Sequence, residues 1–278
     1  MLYRACFPRL LRRLALGVLW LAMLALAACG TTLPTIEPVE LTIAASSSAQ
    51  PLAQQLATAY HAANNHITVH VLPLANEAAA QQAVLDGRAD AALVAGPFAD
   101  SPLHAHPLAM DGLAVVINPA RPLENITPGQ ITDIFRGQVR AWADLGVGDG
   151  DIQVVTREAD AAPRRVLTTV FLGARQLTPT ARVAPDDATV RAQVAADSNA
   201  IAVLPLSWVD SSVRAVPIDG RGPEWVAHGW PDYPARLPLT LFTSATPSAD
   251  LAALLSWLAS PPGQTVISRQ YALAGAAP

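Results

Sequence analysis

The 278-residue chain is 51 % apolar and 14 % charged, sets 22 Asp plus Glu against 18 basic residues, and contains no lysine. Four of the 18 basic residues (Arg4, Arg9, Arg12, Arg13) fall in the first 28 positions, so the other 250 residues carry 14 Arg against 22 acids, a formal charge of −8. Such an acidic surface argues against nucleic acid as a partner, while the apolar content suffices for one large domain or two smaller lobes.

The chain opens as an export signal. The four arginines form a basic n-region, Leu14 to Ala27 an apolar core, and Leu26-Ala27-Ala28-Cys29 sets small residues directly before a cysteine, as in a lipobox. This predicts a lipoprotein signal peptide over 1–28, lipidation of Cys29, and a tether over 29–39 that carries Pro34 and Pro38. An uncleaved anchor is the competing reading, because Leu10 to Ala28 approaches the length of a spanning helix. The polar run Gly30 to Pro34 after the cysteine favours the lipoprotein. Cys6 and Cys29 are the only cysteines, so the processed chain has no internal disulfide.

Beyond the tether, Glu40 to Ala45 reads as a strand, followed by Ser46-Ser47-Ser48 and a helix opened by Pro51 with Leu52, Leu56 and Tyr60 on one face. His66 to Leu72 alternates as a strand, Glu77 to Leu85 is an alanine-rich helix, and Ala91 to Ala95 a buried strand. This β-α-β-α-β order predicts a largely parallel sheet with helices on its faces. Leu113 to Ile117 is a continuous apolar strand, and Pro119 to Leu123 a crossing into a second lobe. Thr127, Pro128 and Gln130 form a T-P-x-Q capping box for a helix with Ile131, Ile134 and Phe135 on one stripe, ended by Gly137. A strand over Ile152 to Thr156, helices over Pro163 to Leu172 and Thr189 to Ala196, and strands over Ala200 to Leu204 and Val213 to Ile218 complete that lobe. Leu237 to Thr243 crosses back, and helices around Asp250 to Leu258 and after Pro262 return to the first lobe.

The run Met110 to Gly146, MDGLAVVINPARPLENITPGQITDIFRGQVRAWADLG, combines a DG-apolar strand, an N-I-T helix start, I-F-R-G and W-A-D-L-G. It resembles the phosphate-binding lipoproteins of bacterial phosphate ABC transporters. The resemblance implies an α/β fold of two lobes, each a mainly parallel sheet flanked by helices, joined by two crossing strands around a cleft that closes on solute in Venus-flytrap fashion. The corresponding division is 40–118 for the first lobe, 119–224 for the second and 225–278 for the return.

Three segments carry candidate ligand chemistry. Ser46 to Leu52 lies between a strand and a helix, where exposed amides and hydroxyls suit an anion. Position alone favours simple helix capping; the resemblance instead implies that Ser47, Ser48 and the Ala49 amide hold oxyanion oxygens. In Thr156 to Arg164, Arg157 matches the family arginine, and its planar fork suits a tetrahedral oxyanion; an ion pair with Glu158 or Asp160 is the competing role. The rest of that turn departs from the family pattern: Asp160, Ala161, Ala162 and Pro163 replace Gly, Ser, Gly and Thr, leaving the amides of Ala161 and Ala162 as donors. Glu77 stands where a phosphate-binding serine is expected, suited to accept from a protonated phosphate or to favour a ligand with a cationic end. Ala95-Gly96-Pro97-Phe98 has no side chain able to bind an oxyanion. Asp111 reads as a hinge-fixing acceptor, and Trp142 and Trp208 as packing residues. Five of the six histidines (His61, His66, His70, His104, His106) cluster in sequence but lack a completing acid or cysteine, so no metal is expected.

These features point to an extracytoplasmic substrate-binding lipoprotein of an ABC importer that captures phosphate or a similar oxyanion between its lobes. Its implied partners are the permease and ATPase subunits and, through the lipid anchor, the outer face of the cell membrane; it is expected to be monomeric. No cofactor is implied, and no G-x-S-x-G elbow or metal motif suggests an enzyme. The alternative is a diverged family member with a non-phosphate ligand or a sensing or assembly role, which the altered turn at Asp160 to Pro163 supports.

Overall fold

The computed structural model describes residues 38–96, 101–222 and 233–275. The signal peptide, Cys29, most of the tether, and Pro97-Phe98 lie outside the described residues. Pro38–Pro278 forms one compact unit.

The fold is α/β, a mixed sheet flanked by helices. Strands β1 (Val39–Ser46), β2 (Ile67–Leu74), β3 (Ala91–Ala95), β4 (His104–Ile117), β5 (Gln153–Arg157), β6 (Arg182–Ala184), β7 (Ala200–Pro205), β8 (Arg214–Val216), β9 (Arg236–Thr243) and β10 (Ala272–Leu273) follow in chain order. Among them run α1 (Gln50–Ala63), α2 (Glu77–Leu85), α3 (Pro128–Phe135), α4 (Ala162–Leu167), α5 (Asp187–Ala196), α6 (Ala249–Ala259) and α7 (Pro261–Ile267). The spatial order is β2-β1-β3-β9-β4-β7-β5-β6, with β8 and β10 also paired to β4. β1 is parallel to β2 and β3, and β5 is parallel to β6 and β7, so each end of the sheet has the expected parallel character. The strands at the middle, β9 and β4, run antiparallel to their neighbours.

β4 joins the two halves. Its first part, His104 to Gly112, pairs with β9, and its second, Leu113 to Ile117, pairs with β7 and β8. The crossing therefore lies inside this strand near Gly112, ahead of the expected Pro119–Leu123. That later segment is a loop of the second half, where Arg121 donates to the carbonyls of Ser198, Val147 and Asp149 and to Asn199 Oδ1. β4 begins nine residues before the apolar run that announces it in the sequence (Leu113 against His104). Pro107 conceals its start: a proline cannot donate to a ladder, and the register shifts between Pro107 and Ala109 to accommodate it.

Local chemistry sets the helices. On α3, Thr127 Oγ1 accepts from the Gln130 N–H (3.2 Å) and Gln130 Oε1 from the Thr127 N–H (2.9 Å), closing the capping box. Ile131, Ile134, Phe135 and Trp142 are fully buried behind it. The expected helix Pro163–Leu172 is instead the short α4 followed by a π-turn over Thr168–Leu172. Leu52, Leu56 and Tyr60 seat α1 on the first half of the sheet, and α7 leans on it through the Gln55 amide, which donates to the Val266 carbonyl. The N-termini of α2 and α4 face each other through Glu77 and Ala162, and that of α5 meets the serine turn ahead of α1 through Asp187.

Candidate anion site

Ser46, Ser47 and Ser48 lie at the end of β1 and in the 3-10 turn that leads to α1, and all three are buried. Neither the turn nor α1 has a side-chain cap. Helix capping is thus not what the serines do. Ser47 Oγ (2.9 Å) and Ser48 Oγ (2.7 Å) donate to the same carboxylate oxygen, Oδ2 of Asp187 on the opposite half of the molecule. The Asp187 N–H in turn donates to Ser47 Oγ at 2.8 Å.

Arg157, at the end of β5 and 3 % exposed, approaches the other oxygen: its Nη1 lies 3.0 Å from Asp187 Oδ1. The rest of its fork is shared, with Nε and Nη2 donating to Glu158 (both 3.0 Å) and Nη2 also to the Ala75 carbonyl at 2.9 Å. Arg157 therefore makes the neighbouring ion pair with Glu158 and at the same time faces the cleft. Complete burial pushes the Asp187 carboxyl upward, against the opposing pull of Arg157 and the two serines. A carboxylate thus receives two hydroxyls and a guanidinium, donors of the kind that hold an oxyanion.

A second carboxylate meets the start of α4. Glu77, capped into α2 by Asn76 (Oδ1 accepts from the Ala79 N–H), is 5 % exposed. Burial pushes its carboxyl up to about 7, opposed by its own N–H, by Arg165 and by the Ala162 N–H. Arg165 Nη1 stands 3.9 Å from Glu77 Oε2. The Ala161 N–H donates to the Glu158 carbonyl (3.2 Å), so of the two expected amide donors one closes a turn and the other faces Glu77. Asn76 Nδ2 reaches Asp160 Oδ2 at 3.5 Å.

The halves meet closely here. Gly96, just after β3, has φ 93, and a Cβ on it would come within 2.8 Å of the Ala162 Cβ. Trp208 Nε1 donates to the Ser47 carbonyl at 3.0 Å.

Comparison with known proteins agrees with this architecture. Residues 31–260 match the family model of the PBP superfamily domain. The chain belongs to the PBP superfamily. It is 28 % identical over 191 residues to the phosphate-binding protein PstS of Bacillus subtilis (strain 168), an alignment covering 66 % of this chain and 63 % of that protein's length. Its fold superimposes with a TM-score of 0.77 on a putative phosphate ABC transporter substrate-binding protein with bound phosphate from Clostridium perfringens, at 22 % identity, covering 84 % of this chain and 99 % of the other. An ABC-type phosphate transport receptor from Vibrio cholerae gives 0.63 at 26 % identity, covering 84 % and 100 %.

Asp111, Trp142, His61 and His106 of this PBP chain make contacts within its framework. Asp111 is wholly buried in β4, accepts from the N–H groups of Gly112 (2.7 Å) and Ser207 (3.3 Å), and is pushed by burial up to about 6. Trp142 donates from Nε1 to the Asn199 carbonyl and lies under the Arg121 guanidinium. His61 Nδ1 meets the Ile67 carbonyl at the end of α1, and His106 meets Thr243 Oγ1. Among the described residues no group of three or more His, Cys, Asp or Glu is placed to hold a metal. Asp187, which sequence reasoning did not single out, is the residue on which Ser47, Ser48 and Arg157 converge.

Proposed function

We propose that this chain is the extracytoplasmic substrate-binding component of an ABC importer and that it captures phosphate or a similar oxyanion between the two halves of its sheet. One observation carries the reading: Ser47 Oγ, Ser48 Oγ and Arg157 Nη1, brought from opposite halves, converge on one carboxylate whose oxygens stand in for those of an oxyanion. The relatives' names refer to phosphate binding and phosphate transport, which supports phosphate as the solute and gives a non-phosphate ligand or a sensing role no comparable support. The mechanism is capture by the serine turn and Arg157, closure across β4 and β9, and presentation to a permease driven by an ATPase subunit. Glu77 fits this chemistry as an acceptor for a protonated oxygen, since burial keeps its carboxyl near neutrality. We place the protein at the outer face of the cell membrane as a monomer anchored through lipid on Cys29, and we read it as a binder without catalytic activity. The test is calorimetric titration of residues 31–278 with phosphate, sulfate, molybdate and tungstate. Saturable heat with phosphate, weakened in Ser48→Ala and Arg157→Ala, is expected; no heat from any oxyanion at millimolar concentration would sink the reading.

A further inference from the structure

We infer that the Asp187 carboxylate is an intramolecular ligand of the cleft: it holds the two halves closed without solute and competes with the incoming oxyanion for Ser47, Ser48 and Arg157. The competition rests on the oxyanion reading above; the closure does not.

Helix α5 does not require this carboxylate. Its N-cap is Asp186, whose Oδ1 accepts from the Thr189 N–H at 2.7 Å, which leaves the Asp187 side chain surplus to capping. It turns instead across the cleft and is fully buried there. Its Oδ2 accepts from two hydroxyls at the end of β1, and its Oδ1 pairs with Arg157 Nη1 at 3.0 Å as an ion pair without a directed hydrogen bond. Nothing comparable ties Arg157 to Asp187 alone, because Glu158 already neutralises the guanidinium from its Nε edge. The contact is therefore removable without stranding the arginine.

The surroundings favour the internal anion over a free one. An oxyanion entering while Asp187 stays in place would meet the carboxylates of Asp187, Glu158 and Glu77, which already pair with Arg157 and Arg165. Space is short as well, since α4 packs against Gly96 with no room for a single added methyl. A tethered carboxylate also has an entropic advantage, because its binding is intramolecular and a free solute must match an effective concentration. An oxyanion therefore binds by displacing Asp187, and the affinity of the cleft is set by how firmly Asp187 is held.

The experiment uses Asp187→Ala and Asp187→Asn in residues 31–278, a segment that contains the compact unit Pro38–Pro278 with its own core. Small-angle scattering without ligand reports closure, and calorimetry with inorganic phosphate reports competition. The wild type should be compact alone. Asp187→Ala should show a larger radius of gyration, contract on adding phosphate, and bind it on the order of tenfold to a hundredfold more tightly, the range expected when a charged hydrogen-bonded competitor is removed. Asp187→Asn keeps an acceptor for the serines but loses the ion pair, and should fall between. An unchanged radius in both variants overturns the closure. Opening, with phosphate bound by the variants no more tightly than by the wild type, overturns the competition. Opening while neither wild type nor variant takes up phosphate supports the closure and overturns phosphate as the solute.

Discussion

Replacing Glu77 with glutamine makes the carboxyl at the start of α2 permanently neutral, and its effect on stability should depend on pH. The folded protein holds this proton more tightly than the unfolded chain, because burial raises the carboxyl from its ordinary 4.5 to about 7. Between those two values the folded state binds more protons, so stability falls as pH rises through the window. At 1.36 kcal/mol per tenfold change in proton affinity, the wild type carries a penalty of about 3 kcal/mol at pH 8 and about 1 kcal/mol at pH 5. Glu77 is only 5 % exposed, so solvent screening does little to reduce these figures. Glutamine imitates the neutral acid and can still accept from the Ala162 N–H. Glu77→Gln should therefore stabilise by about 3 kcal/mol at pH 8, raising Tm by roughly 6–12 °C in a domain of this size, and by about 1 kcal/mol at pH 5. Urea unfolding of both proteins at the two pH values measures this. An equal effect at pH 5 and pH 8, or destabilisation at pH 8, would refute the assignment of Glu77 as a buried carboxyl raised to about 7.

Arg157→Gln leaves Asp187 buried with only serine hydroxyls for partners, so it should cost about 3–5 kcal/mol of stability and weaken phosphate binding. Adding Asp187→Asn should restore most of the stability in urea unfolding but not the binding; a double variant as unstable as the single one would contradict the pairing. Gly96→Ala forces a side chain into a positive-φ position against Ala162, at a cost of about 1–3 kcal/mol. It should also enlarge the scattering radius of the unliganded protein. Thr127→Ala removes the α3 cap, which should cost about 1 kcal/mol in thermal unfolding and leave phosphate titrations unchanged.

Elements set by neighbouring residues were the legible ones. The bounds of α2 and β3 and the capping box of α3 coincide with what the sequence predicts, because a cap, a stop and an apolar run each act within a few positions. The first part of β4 was hidden by Pro107, whose missing donor is absorbed by a bulge that only the pairing with β9 reveals. The site divides in the same way. Ser47, Ser48 and Arg157 stand out as donors at strand ends, and family resemblance adds Glu77. Asp187 is invisible to this reasoning: locally Asp186-Asp187 announces only a helix start, while its partner Ser48 lies 139 positions away. Its role exists only once β1, β5 and α5 are brought together. The tryptophans show the same limit. Trp142 reads correctly as packing, but the bond from Trp208 to the Ser47 carbonyl spans 161 positions and ties a packing residue to the serine turn.

The central claim is that an oxyanion occupies the donors now held by Asp187, and a crystal structure of residues 31–278 grown in saturating phosphate tests it most directly. Phosphate oxygens are expected within hydrogen-bond distance of Ser47 Oγ, Ser48 Oγ and the Arg157 guanidinium, with the Asp187 carboxylate moved off them. Phosphate bound elsewhere, or an Asp187 still seated on both serines and Arg157 at saturating phosphate, would contradict it.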